Sequence, residues 1–216
     1  MTCEKQIALG HSIEGRPLQA EVFGEGQVRA LFLGAIHGDE PGAAELVHAY
    51  AERLLKRPPR VAVCLYANCN PDGLASNRKD NARLVDLNRN FAASNFSATH
   101  KPGYFPGNAP LSEPETQAIA QLVERFSPRV VVAVHQPFRC INWDGPAGDL
   151  AAIMAACTGY PLQPSIGYPT PGSLGSWLGV DRKVATITFE LERPFPTRDL
   201  DACLDALDDA VAWAAP

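Results

Sequence analysis

An α/β fold is predicted for this chain: a mixed, mostly parallel central sheet with helices on both faces, in a single domain. Two observations lead there. Short β-rich runs alternate with amphipathic helical patterns along the whole chain. Val130 to Val134 is a nearly unbroken apolar run, as a strand buried on both faces requires. The 216 residues are 46% hydrophobic and 20% charged, enough to bury one sizeable core and unlike disordered, collagen-like or coiled-coil chains. No repeat, low-complexity segment or shift of composition marks a linker, so residues 1–216 are read as one domain.

Arg29 to Ile36 predicts a strand, followed by His37-Gly38-Asp39-Glu40-Pro41. A helix follows, with Ala43, Leu46, Val47, Tyr50 and Leu54 at helical spacing, Pro41 in its first turn and Pro58-Pro59 at its end. Val61 to Tyr66 predicts a second strand, leading into the turn-rich Asn68-Cys69-Asn70-Pro71-Asp72-Gly73. Leu74 to Pro110 shows no period, and ordered loops of that length are usually functional. Ser112-Glu113-Pro114-Glu115 reads as a capping box opening a helix that carries Ile119, Leu122, Val123 and Phe126 on one stripe. The apolar strand from Val130 stops at His135, and a short helix is expected near Asp149 to Cys157. Gly159 to Gly179, with prolines 161, 164, 169 and 171, reads as irregular. Val184 to Leu191 is a strand, and the last helix, around Asp199 to Trp213, places Leu200, Cys203, Leu204, Leu207 and Val211 on one face.

Composition narrows the function classes. Nineteen Lys plus Arg against twenty-four Asp plus Glu give a formal charge of −5, with no basic excess to hold nucleic acid or anionic lipid. No run approaches the ~20 apolar residues of a membrane span. Glu4, Lys5 and His11 interrupt any signal-peptide core, so a cytoplasmic location is expected. The six cysteines (3, 64, 69, 140, 157, 203) form no C-x-x-C pair and are read as reduced thiols.

In an open α/β sheet the ligand sits beyond the carboxyl ends of the strands. Three such ends carry polar side chains: His37 with Glu40, His135, and Glu190. Two imidazoles and a carboxylate make a catalytic zinc set that leaves a position for water. The H-x-x-E pattern occurs twice, and only context separates His37 with Glu40 from His11 with Glu14, which lies in a Gly-Arg-Pro turn. Taken singly, His37 reads equally as a ligand or as a hydrogen-bonded structural histidine, His135 reads as a core histidine ending a buried strand, and Glu192 shares the strand parity of Glu190. His48 and His100 have no convergent partner. Asp86-Leu87-Asn88-Arg89-Asn90-Phe91 is dense enough in Asp, Asn and Arg to grip a carboxylate through the Arg fork, or to be a solvated loop.

These segments, His37-Gly38-Asp39-Glu40, Asn70-Pro71-Asp72-Gly73, Asp86 to Phe91, His135 and Thr188-Phe189-Glu190-Leu191, stand in an order that resembles the zinc carboxypeptidases. Gly10-His11-Ser12-Ile13-Glu14-Gly15-Arg16-Pro17 is similar to that family's opening strand and turn, so the likeness spans nearly the whole chain. It implies one Zn2+ per chain held by His37, Glu40 and His135, with Glu190 as general base and Asp86 orienting a ligand histidine. It further implies that Asn88 and Arg89 hold the terminal carboxylate of a small peptide substrate. Arg78 would stabilise the oxyanion, Tyr168 cover the substrate, and Gly175 floor the side-chain pocket. Within the family, Gly34 to Glu40, Val85 to Phe91, Ser112 to Ala118 and Gly167 to Trp177 look most like the small bacterial murein peptide amidases. That likeness implies hydrolysis of the γ-D-Glu-meso-diaminopimelate bond of murein tripeptide in cell-wall recycling. The alternative is a zinc N-acyl amino acid hydrolase of the succinylglutamate desuccinylase or aspartoacylase type, whose ligand motif is similar; the Tyr168 to Trp177 stretch favours the peptidase. The chain departs from the digestive relatives in its short loops, in having no propeptide, and in Asp39, which stands where many of them have a basic residue.

Overall fold

Strands buried on both faces carry mostly apolar side chains, and four largely buried runs form the middle of the sheet in a computed structural model that describes residues 5–216. They are β3 (Val28–Leu33), β4 (Ala62–Tyr66), β5 (Val130–His135) and β7 (Ala185–Glu192), paired in parallel in the order β4-β3-β5-β7. The margins are antiparallel. On one side β1 (Lys5–His11) and β2 (Pro17–Phe23) make a hairpin that joins through β2 to β4, and on the other β6 (Phe138–Asp144) pairs with β7. The sheet is mixed, as expected; its centre is wholly parallel, while its antiparallel pairs all lie outside that centre.

Side chains alternate across the pleat, so each central strand feeds two cores. Phe32, Val63, Val132 and Ile187 pack under α1 (Pro41–Lys56), α4 (Gly148–Thr158) and α5 (Leu200–Ala214). Leu31, Leu33, Val131 and Ala133 pack on the opposite face under α3 (Pro114–Phe126) and Trp177. Helices thus cover both faces, and the parallel strands deliver their carboxyl ends, with His135 and Glu190, to one rim.

Several local expectations are corrected. β1, β2 and β6 are strands that hydrophobic pattern did not reveal: β1 and β6 are the edges of the sheet, and β2, paired between β1 and β4, is short and still exposes Pro17 and Gln19. His11 ends β1, and the turn follows it at Ser12 to Gly15. The stretch from Leu74 contains the end of α2 (Pro71–Ser76) and a 3-10 turn at Leu87–Arg89, and the irregular segment before β7 holds a π-helical turn at Gly175–Asp181. The capping box does not form: the N-cap of α3 is Glu113, and Ser112 Oγ donates to Glu113 Oε1 instead of to the helix backbone. Cys3 lies outside the described residues; the other five cysteines are unpaired.

The turn after β3 is held by close backbone contact. Asn70 caps α2 by accepting from Gly73 N at 2.9 Å, and its Nδ2 donates to Lys79 O at 3.2 Å. Asp72 accepts from Ser12 Oγ (2.6 Å), Glu14 N (3.0 Å) and Arg16 Nη1 (2.7 Å), tying the β1–β2 turn to α2. Gly38 abuts this helix so tightly that a Cβ would lie 2.1 Å from the carbonyl carbon of Gly73. Backbone on both sides leaves no side chain to swing away. Gly38→Ala is therefore expected to lose about 3 kcal/mol in urea unfolding, at the upper end for overpacking; an unchanged midpoint would show that the turn yields freely.

Candidate active site

The rim of the sheet opens onto a cavity of about 300 Å³. His37 and Glu40 reach it from the β3–α1 turn, where Ala35 adopts a left-handed conformation (φ 48°) and Pro41 begins the helix directly after Glu40. His135 and Glu190 reach it from the paired ends of β5 and β7. Glu40 bridges the two histidines: Oε1 lies 2.8 Å from His37 Nδ1 and Oε2 2.9 Å from His135 Nδ1. One candidate ligand atom from each of the three residues lies within 4.8 Å of the others. The imidazole centroids are 5.0 Å apart.

Behind them, Asp86 is fully buried. Its Oδ1 lies 3.2 Å from His37 Nε2 and accepts from Asn88 N at 3.0 Å, while Oδ2 accepts from Lys79 Nζ at 2.5 Å. Burial opposes its charge, but His37, Arg89 and Lys79 hold its carboxyl well below the ordinary carboxylate range. Burial likewise works against the His37 imidazolium, yet Glu40 and Asp86 outweigh it and raise the pKa to about 10. Glu40, also opposed by burial, is drawn down to about 2 by the two imidazoles. No lysine or arginine pairs with Glu40 among the described residues. Two imidazoles and a buried carboxylate compensated only by them are a donor set that fits a divalent cation, zinc foremost.

Glu190 lines the same cavity beside these groups and accepts from Phe138 N at 3.3 Å. Burial raises its pKa, and the nearby charge of Glu40 adds to that while His135 opposes it. Glu192, its equal in parity, stands at the rim instead, paired with Arg139 and Arg198. On the opposite wall Arg89 is 6% exposed, its Nη1 donating to Asn88 O at 2.6 Å and its guanidinium lying over the Tyr104 ring at 5.3 Å. Asn88 Oδ1 accepts from Leu174 N at 3.0 Å, and its NH2 makes no hydrogen bond among the described residues. Tyr168, 39% exposed, and Gly175 also line the cavity.

Arg78 does not. Its Nη2 donates to Asn81 O at 3.0 Å and its Nε is buried without a hydrogen-bond partner among the described residues. Its neighbour Lys79 does line the cavity, beside Arg89 and Arg193; it lies 3.9 Å above the Tyr104 ring and is bound to Asp86 and Gly103 O. In an aperiodic loop, sequence gives no signal for which of two adjacent cations turns inward. Asn90, in the same motif as Asn88 and Arg89, has a structural part. Fully buried, it donates to Pro106 O, Ala109 O and Ser112 Oγ and accepts from Thr116 Oγ1 and Glu113 N, so it knits the long loop to α3.

Comparison with known proteins gives a consistent result. Residues 3–144 match the zinc carboxypeptidase family, peptidase M14. Murein peptide amidase A of Escherichia coli K12 is 34% identical over 197 residues, covering 85% of this chain and 79% of that protein. Murein peptide amidase A of Vibrio campbellii is 31% identical over 213 residues, covering 91% and 83%. The crystal structure of murein-tripeptide amidase MpaA from Escherichia coli O157 superposes with a TM-score of 0.76 at 31% identity, over 98% of this chain and 92% of that one.

The five bonds of Asn90 give a test that separates scaffold from chemistry. Asn90→Ala strands buried partners and is expected to cost about 3 kcal/mol in urea unfolding. A variant as stable as the parent would show that these bonds do not hold the loop to α3.

Proposed function

The chain belongs to the zinc carboxypeptidase family, and on that footing we propose that residues 1–216 act as one catalytic domain releasing the C-terminal residue of a small peptide. The proposed substrate is murein tripeptide, cleaved at its γ-D-Glu-meso-diaminopimelate amide. The observation that carries this reading is the convergence of His37, Glu40 and His135 beside Glu190 in a cavity whose far wall holds Arg89. The relatives reported above are murein peptide amidases, and none of these observations favours the N-acyl amino acid hydrolase alternative.

His37, Glu40 and His135 would hold one zinc ion per chain. When bound, the ion supplies Lewis acidity toward the scissile carbonyl and toward water. Asp86, accepting from His37 Nε2, fixes the tautomer that leaves Nδ1 as the donor atom. Glu190 takes a proton from water and delivers it to the leaving amine nitrogen; burial disfavours its charged form and so raises its affinity for the proton it takes up. Arg89 pairs with the free carboxylate while the Asn88 NH2 donates to it, so that only the last amide is presented. Lys79 is the cation placed to meet negative charge growing on the carbonyl oxygen. Tyr168 covers the bound peptide, and Gly175 leaves its side chain room.

No helix among the described residues is long and apolar enough to cross a membrane. A cytoplasmic location completes the proposal, supported by the five unpaired cysteines.

Glu190→Gln is expected to keep its metal, measured by elemental analysis, and to lose about a thousandfold in kcat. His37→Ala with His135→Ala should lose the metal, and stoichiometric zinc in that double variant would refute the ligand set. Lys79→Ala is expected to lower kcat about a hundredfold; an unchanged kcat would remove Lys79 from the reaction. The substrate reading is tested by incubating the purified protein with murein tripeptide, a series of ordinary dipeptides and N-succinylglutamate. Release of meso-diaminopimelate is the expected outcome, and cleavage of N-succinylglutamate alone would overturn the reading.

A further inference from the structure

The cavity carries one cation that the reaction described above leaves without a part. Lys79 is tied to Asp86 and Arg89 faces the terminal carboxylate, whereas Arg193, just past the end of β7, lines the same cavity unassigned. The chain leading into it is fixed. Gln136 Nε2 donates to Glu192 O at 2.9 Å while Gln136 Oε1 accepts from Gly42 N at 3.0 Å, which ties the end of β7 to the first turn of α1.

The Arg193 guanidinium is less committed than its backbone. Among the described residues it makes one hydrogen bond, Nη2 donating to Asp39 O at 2.5 Å, and one looser ion contact, Nη1 to Asp39 Oδ2 at 3.7 Å. The side chain is 40% exposed, and the other N–H groups of its fork are open to a ligand.

Its position decides what that ligand can be. Leu87 and Phe91, on either side of Arg89 in the chain, pack into the core under α3, whereas Phe195, two residues after Arg193, packs against the core under α1. The two arginines therefore stand toward opposite faces of the sheet, with His135 and Glu190 at the strand ends between them. A peptide whose last carboxylate meets Arg89 and whose last amide lies beside Glu190 directs its acyl part toward Arg193.

We propose that Arg193 determines specificity on the acyl side of the scissile bond, its guanidinium receiving a carboxylate that stands four bonds from the scissile carbonyl carbon. The inference rests on the peptidase reading and names what the site recognises beyond the last residue. In a γ-linked glutamyl residue the α-carboxylate is free and lies four bonds from that carbonyl, about 5 Å when extended. An arginine fork grips such a group through two parallel N–H···O contacts. Amidation to an isoglutaminyl residue keeps the size and shape but removes the charge and turns one acceptor into a donor.

The test compares L-Ala-γ-D-Glu-meso-diaminopimelate with its form amidated at the glutamyl α-carboxylate, as substrates of the metal-loaded parent, Arg193→Gln and Arg193→Lys. The parent is expected to prefer the free acid in kcat/KM by about thirtyfold. Arg193→Gln should bring the two substrates within about threefold, and Arg193→Lys, a point charge without the fork, should restore part of the preference. A residue that only supports its loop would slow both substrates together in Arg193→Gln and leave their ratio unchanged. That result overturns the proposal, as does a parent that uses the amide as well as the acid or better; the peptidase reading survives both. If neither peptide is cleaved, that reading fails and calorimetry with the same two intact peptides decides for Arg193. The free acid bound about tenfold more tightly than the amide, with the difference lost in Arg193→Gln, then supports the proposal. Equal or undetectable binding of the two peptides refutes it.

Discussion

A carboxylate shared between two imidazoles is the contact on which this arrangement depends. Glu40 reaches His37 within its own turn and His135 across ninety-five positions of sequence. That second bond exists only because β3 and β5 are parallel neighbours whose carboxyl ends stop at the same rim. Next to β5 lies β7, which brings Glu190 level with His135. The order of three adjacent strands thus decides which titratable groups meet, and the helices on either face serve to keep those strands in register.

A second layer of polar contacts converts convergence into orientation. Asp86 touches His37, Lys79 and the backbone of Asn88 at once, so ligand, cation and the start of the carboxylate-binding segment share one anchor. The two long segments without hydrophobic period are joined to each other as well: Phe91 N donates to Gly172 O, Leu174 N to Asn88 Oδ1 and Gly172 N to Asn95 Oδ1. Both look unstructured when read separately because the partners of their backbone groups lie some eighty positions away.

The central strands, the four longer helices, and the polar residues at strand ends were legible because each follows from local periodicity or from where a periodic run stops. What escaped reading has a different physical basis. β1 and β6 lack a clean alternation because they border solvent, and in β2 the alternation is confined to the few positions around Leu18 and Ala20. Lys79 and Arg78 are neighbours of like charge, and only the tertiary positions of Asp86 and Tyr104 decide which one faces the cavity. Asn90 and Asn88 lie two positions apart in one motif, yet one is consumed by five bonds to its own loop and α3 while the other keeps its NH2 free. Ser112 has the sequence of a helix cap, but Asn90 and Glu113 claim its hydroxyl first.

The margins of the sheet bear on how the molecule behaves in a crowded solution. β1 is interrupted by a register shift between Ala8 and Gly10, and the outer side of β6 is occupied where Ile141 bridges Leu162 and exchanges hydrogen bonds with Pro161 and Gln163. An open row of peptide groups invites another molecule to add a strand. Here the register of one border shifts partway along and the other is covered around Ile141, so neither offers a long regular row of peptide groups to an incoming strand.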